Sequence, residues 1–193
     1  MLTFKRTLGI VTTGMILSVA ALPSLAGGKY TYVEARFVAD AEFDGSSEDA
    51  DGFRFAGSYK FNNQVYGAAE YEAVEFDGRN DVDFDIMRFG AGFIHPLNQQ
   101  WDINAEAHLI RMEIDTRFGD DSDTGFSIAG GVRGMATPEI EVKAMLILED
   151  VEDRDSYITV GADYYFQPNV SAGIEMDLAG DYETFSIGAK FHF

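Results

Sequence analysis

The sequence contains no cysteine, which excludes disulfide bonds and a lipid-modified N-terminal cysteine. It is also poor in basic residues, with 14 Lys and Arg against 33 Asp and Glu, for a net charge of −19. A chain this acidic repels phosphate backbones, so a nucleic-acid partner is not expected. Past residue 26 there is no run apolar enough for a transmembrane helix, so a membrane-spanning form would have to cross as β-strands.

The first 26 residues predict a secretory signal peptide. Lys5 and Arg6 precede an apolar run over residues 9–22, and Ser24-Leu25-Ala26 has the small-x-small pattern of a cleavage site. The apolar run is shorter than the roughly 20 residues that a transmembrane helix requires, which disfavours a membrane anchor. We therefore expect residues 1–26 to be removed on export and residues 27–193 to form a single domain.

The mature sequence shows apolar and polar residues in alternation, the pattern of β-strands. In Phe53–Phe61, for example, aromatic residues alternate with polar residues that include Arg54 and Lys60. Each such segment is about ten residues long, which is the length of a tilted strand crossing a bilayer. Ten segments are predicted, at residues 30–38, 53–61, 65–74, 84–95, 101–113, 126–135, 140–149, 157–166, 170–178 and 184–193. Eight strands is the alternative, and a bulge is expected within residues 110–114, where the alternation is lost.

The connections between these segments alternate between short turns and longer acidic loops. The short turns lie near residues 62–64, 96–99, 136–139 and 167–169 and are rich in Asn and Pro. The longer connections, predicted at residues 40–51, 75–85, 113–123, 149–155 and 177–183, hold most of the acidic residues. Short periplasmic turns and long outer loops are typical of bacterial outer-membrane barrels, so the fold class predicted is an all-β, up-and-down transmembrane β-barrel.

The last segment has an apolar face that ends on Phe191 and Phe193, the C-terminal residue. A lipid-facing final strand ending in an aromatic residue is typical of outer-membrane barrels, and we interpret these two residues as the C-terminal assembly signal for the barrel-assembly machinery. A soluble barrel would place the apolar face inside and leave Arg36, Arg88 and Glu175 outside. The predicted location is therefore the bacterial outer membrane.

The runs DGFRFAGSYKFNN, VYGAAEYE and RFGAGFIHPL, together with residues 157–193, resemble a family of small outer-membrane barrels. That family was first described as secreted immunity-activating or signalling proteins of plant pathogens. The resemblance covers essentially the whole mature chain and implies a small barrel. It implies no catalytic residue.

Charged residues at the inward positions predict a lumen filled by ion pairs, because an unpaired charge in a narrow interior is costly. The predicted network comprises Glu34, Arg36, Arg54, Lys60, Glu70, Glu72, Arg88, Glu106, Arg133, Glu141, Lys143, Glu175 and Lys190. The function expected is a structural or surface-interaction role. A narrow cation-preferring channel is the alternative, favoured by inward glycines that leave space.

Catalysis, cofactors and metal sites are not expected from this sequence. His95 and His192 lie near short turns and His108 in the lumen, so no histidine lies on an outer loop to act as a general base. There is also no Gly-x-Ser-x-Gly element. The partners expected are outer-membrane lipid and lipopolysaccharide, held through divalent cations at the acidic loops. A calcium loop at Asp40–Asp51 matches the known pattern poorly, and a solvated acidic loop is the preferred interpretation.

Overall fold

The computed structural model describes residues 29–43, 50–76, 82–116, 119–151, 154–180 and 182–193, which form a closed barrel of ten antiparallel strands. The strands are β1 (Tyr32–Phe43), β2 (Ala50–Lys60), β3 (Val65–Phe76), β4 (Val82–Pro96), β5 (Trp101–Thr116), β6 (Gly119–Met135), β7 (Ile140–Asp150), β8 (Arg154–Gln167), β9 (Val170–Leu178) and β10 (Tyr182–His192). Each strand pairs with its neighbours in sequence, and β1 pairs with β10 to close the sheet. The predicted fold class and strand number are confirmed, and the eight-strand alternative is wrong. None of the described residues belongs to a helix long and apolar enough to span a membrane.

The barrel is apolar outside and polar inside. Phe55, Phe89 and Leu109 point outward and are 52%, 58% and 71% exposed. Arg54 and Glu175, on inward positions, are 8% and 5% exposed. Since water would favour the reverse arrangement, the outer surface is suited to contact with lipid.

Asparagine side chains shape two of the short turns. Asn62 Oδ1 accepts hydrogen bonds from the backbone N–H groups of Gln64 (2.8 Å) and Val65 (2.9 Å). Asn98 Oδ1 does the same for Gln100 and Trp101. These side chains satisfy backbone donors where the strand ladder ends, which is why asparagine recurs at the start of the turns.

The strands reach further into the acidic connections than the sequence analysis expects. Residues 113–123 were predicted as a loop, but Asp115 pairs with Asp120 and Thr116 with Gly119, so β5 and β6 continue as a hairpin. The first residues of β6 pair with β5 alone, because the pairing of β6 with β7 begins at Phe126 and Asp150. The β5–β6 hairpin therefore extends beyond the neighbouring strand pair on the loop side.

The bulge expected within residues 110–114 is absent, and that prediction is wrong. This segment keeps a continuous register with both β4 and β6. The chemistry of the two faces changes instead: Ile110 is buried toward the lumen, whereas Arg111 and Glu113 point outward and form an ion pair of 2.6 Å. Register irregularities occur between Val38 and Asp40 and between Tyr165 and Gln167.

Candidate functional site in the barrel lumen

Glu175 of β9 is the point where three inward cations meet. Its Oε1 lies 2.8 Å from Arg54 Nη1. Its Oε2 lies 2.5 Å from Lys143 Nζ and 3.6 Å from Arg36 Nη2. The four side chains come from β1, β2, β7 and β9, which are brought to one level only by closure of the barrel.

Arg54 is also bound by two further carboxylates. Its Nε donates to Glu72 at 2.8 Å and its Nη2 to Asp177 at 3.0 Å. The Asp177 carboxylate in turn accepts hydrogen bonds from Thr159 (2.5 Å) and Thr184 (3.0 Å). A guanidinium has donors for several acceptors, so arginine suits this crowded position.

Arg88 forms a second centre on the loop side of the first. It contacts Glu70 at 2.9 Å, Glu149 at 3.4 Å and Glu72 at 3.7 Å. Glu72 is therefore shared between Arg88 and Arg54, and the two centres are continuous. Glu149, predicted at the boundary between the strand 140–149 and the connection 149–155, lies on β7.

Lys190 and Arg36 connect the network to β10 and β8. Lys190 Nζ lies 2.6 Å from Asp163 and 3.6 Å from Glu34. Arg36 contacts Glu34 directly and reaches Asp163 at 3.6 Å. These carboxylates are at most 6% exposed, so the pairs are shielded from solvent.

The N-terminal segment Lys29–Tyr30 crosses the lumen at the short-turn end. The Lys29 N–H donates to Glu141 at 3.1 Å, and the Lys29 carbonyl accepts from Arg133 at 2.9 Å. Arg133 and Glu141, on β6 and β7, also pair with each other at 2.6 Å. The segment leading into β1 is thus bound to the opposite wall of the barrel.

Aromatic side chains fill the space beside this segment. The Tyr30 and Tyr66 rings lie 4.9 Å apart, and Tyr30, Tyr66 and Ile94 form a buried apolar cluster. Across the lumen, the Lys29 ammonium lies 3.9 Å from the centre of the Tyr165 ring. Burial lowers the pKa of Lys29, and the nearby Glu141 carboxylate acts in the opposite direction. These groups occupy the short-turn end of the lumen.

The rest of the lumen holds a cavity of about 680 Å³. It runs from Tyr66 and Arg133, next to the closed end, to Phe84, Asp155 and Thr184 near the acidic connections. Side chains therefore fill the lumen unevenly, densely at the short-turn end and incompletely toward the loops.

The structure brings nearly all the predicted network residues together. Glu106 lies beside the Tyr66 hydroxyl and 3.6 Å from His108. Lys60 is the exception: its backbone N–H donates to Thr31, and its side chain forms no ion pair with another described residue. The sequence analysis missed the contacts of Lys29 across the lumen, because alternation along one strand carries no information about the opposite wall.

The remaining predicted residues occupy outward or terminal positions. Phe191 points outward, 42% exposed, and its ring lies 6.5 Å from that of Phe193. The role of this pair in assembly stays a prediction. His95 is exposed near a short turn, whereas His192 is buried beside Tyr165.

No group of His, Cys, Asp and Glu suited to a metal ion occurs among the described residues. Half of the calcium-loop candidate Asp40–Asp51 lies outside the described residues, which leave out 44–49.

Comparison with known proteins supports the fold and nothing finer. Neither a protein-family model nor a curated protein matches the chain. Among solved structures, the NanC porin aligns with a TM-score of 0.54 and 13% identity, over 83% of this chain and 100% of its own. The KdgM porin aligns with a TM-score of 0.49 and 14% identity, over 84% and 99%. Ail, the attachment invasion locus protein of Yersinia pestis, aligns with a TM-score of 0.43 and 15% identity, over 86% and 99%. The NanC alignment, the one of these three with a TM-score above 0.5, supports the β-barrel fold.

Proposed function

We propose that this protein is an integral outer-membrane barrel with a structural or surface-interaction role, and that its lumen does not conduct ions. The observation that carries this proposal is the Lys29–Tyr30 segment, which is bound to Arg133 and Glu141 across the short-turn end of the barrel. An ion leaving the cavity at that end would have to displace Tyr30, Tyr66 and Ile94, each at most 3% exposed. Separating the Arg133–Glu141 pair would break an ion pair between two buried charges, which is costly.

The surface role is proposed for the acidic connections at the open end. Their concentrated negative charge favours divalent cations, which in turn bridge to lipopolysaccharide phosphates. The resemblance to immunity-activating barrels is consistent with a surface that other cells recognise. Export through the periplasm, insertion by the barrel-assembly machinery and the absence of enzymatic activity belong to the same proposal.

Conductance of the purified, refolded barrel in a planar bilayer tests the proposal. We expect no openings from a preparation whose folding is established by heat-modifiable migration. A variant that begins at Thr31 lacks Lys29 and Tyr30 but keeps all ten strands. This variant should show openings, because the segment proposed to close the lumen has been removed. Steady openings of the full mature chain would contradict the proposal.

A narrow cation-preferring channel is the second candidate. The cavity of about 680 Å³ favours it, since acidic residues outnumber basic ones along its wall. In that case the mature chain should carry current, and a salt gradient should give a reversal potential of the sign expected for cations.

A further inference from the structure

We propose that the lumen cavity is a binding site for a linear aliphatic polyamine that enters from the loop side. The site combines two carboxylates that pair with no described Lys or Arg and apolar side chains on the strands between them. This pattern complements a ligand in which ammonium groups are separated by methylene chains. The inference goes beyond the proposed lack of conduction, because binding is measured without current.

Glu106 is the deeper of the two carboxylates. It contacts Tyr66, Asn104 and His108, and no Lys or Arg among the described residues pairs with it. Its side chain is 23% exposed and lines the cavity, so a ligand can reach it. A carboxylate in a confined site without a permanent cation is an attractive position for an ammonium group.

Asp155 is the corresponding carboxylate near the mouth of the cavity. It is exposed, lines the cavity and pairs in register with Glu149 of β7. Glu149 is already engaged by Arg88, whereas Asp155 has no basic partner in the described part of the chain. A second ammonium group therefore has a free acceptor at the loop side.

Apolar side chains lie on the two strands between these carboxylates. Ala129 of β6 and Met145 and Ile147 of β7 line the cavity between Glu106 on β5 and Asp155 on β8. Three interstrand spacings separate β5 from β8, about 14 Å along the sheet. A rigid inorganic cation cannot use such a wall, but a methylene chain can bury apolar surface against it.

The charge of the whole cavity has the sign that the proposal requires. Its lining contains eight acidic and five basic residues. The basic residues are engaged in the ion pairs described above, so the unbalanced charge is negative. The acidic connections outside add to this field and raise the local concentration of cations at the mouth.

Calorimetric titration with spermine tests the site, using the mature barrel in nanodiscs of phosphatidylcholine with excess MgCl₂ to occupy the outer acidic residues. We expect saturable binding of one spermine per barrel. Glu106→Gln and Asp155→Asn should each weaken binding about tenfold, as the loss of one charge-assisted contact predicts. Putrescine, which is too short to reach both carboxylates, should bind much more weakly.

The matched control is Asp121→Asn, which removes the same charge from an exposed position on the β5–β6 hairpin outside the cavity. We expect spermine affinity to be unchanged in this variant. Equal weakening in all three variants, or binding that occurs only when MgCl₂ is left out, would assign spermine to the outer surface and overturn the proposal. Absence of binding heat at several temperatures would also overturn it. Because Asp155 is exposed, its variant keeps the test valid if Glu106→Gln does not fold.

Discussion

At the scale of single residues, the lumen depends on charges that share partners. Arg54 has three carboxylates within 3.0 Å, so no single acid is indispensable to it. Lys143 differs, because Glu175 is its only ion-pair partner among the described residues. Removal of the Glu175 charge should therefore reduce the stability of the barrel more than removal of another single carboxylate that contacts Arg54.

Replacing Glu175 with Gln should destabilise the barrel by roughly 3 kcal/mol, the lower end of the range for breaking a buried pair, because Lys143 keeps access to the cavity. Urea unfolding in lipid vesicles measures the change. Adding Lys143→Gln to the same chain should recover part of the loss, since the unpaired cation is then removed. Glu183→Gln, at an exposed position, serves as the control and should change little. Equal effects of the two single variants would contradict the argument.

At the scale of a strand, the two adjacent glycines of β6 have different environments. A Cβ atom on Gly131 would lie 2.1 Å from the Ala144 carbonyl oxygen and 2.7 Å from Met145 Sδ. The nearest atom to a Cβ on Gly130 is the Asn104 carbonyl oxygen at 4.0 Å. Gly131 faces the lumen, where the curved sheet brings neighbouring backbones close, and Gly130 faces outward.

Gly131→Ala should therefore cost about 1–3 kcal/mol, because the backbone of β7 has to shift to admit a methyl group. Gly130→Ala should be neutral or slightly stabilising, since alanine has less freedom than glycine in the unfolded chain. The difference in unfolding midpoint between these neighbours measures the effect of close strand approach. A larger loss at Gly130 would show that the assignment of the two faces is wrong.

At the scale of the whole molecule, the distribution of polarity decides the solvent in which the barrel is stable. The exposed aromatic and aliphatic side chains form a continuous outer belt, while the buried residues are mostly polar or charged. Transfer of such a molecule into lipid costs little free energy, whereas in water its apolar belt would be exposed to solvent.

Phe89→Lys should destabilise the barrel in lipid vesicles by about 2–4 kcal/mol, the cost of a lysine near the bilayer midplane. Phe89 is 58% exposed and lies at the middle of β4, so a lysine would not disturb the lumen. Phe89→Leu keeps the apolar surface and should have a much smaller effect. Equal stability of the two variants would contradict a lipid-facing belt.

The sequence by itself determined the β-barrel class, the faces of most strands and the short turns, and it favoured ten strands over eight, because these features depend on alternation with a period of two and on local turn chemistry. The prediction for residues 110–116 was wrong because it relied on the same alternation. Ile110 and Met112 are apolar residues at inward positions, and this change of residue type along the inward face resembled a change in register. The strand continues there since backbone pairing does not depend on which face is apolar.

Only the tertiary structure decided which inward charges meet, that Lys29 is bound to Arg133 and Glu141 at one end, and that a cavity remains toward the other. These features are contacts across the lumen, between strands as far apart in sequence as β2 and β9. The distance between such residues depends on barrel closure and on the tilt of every strand, and a linear pattern of residue types carries neither quantity.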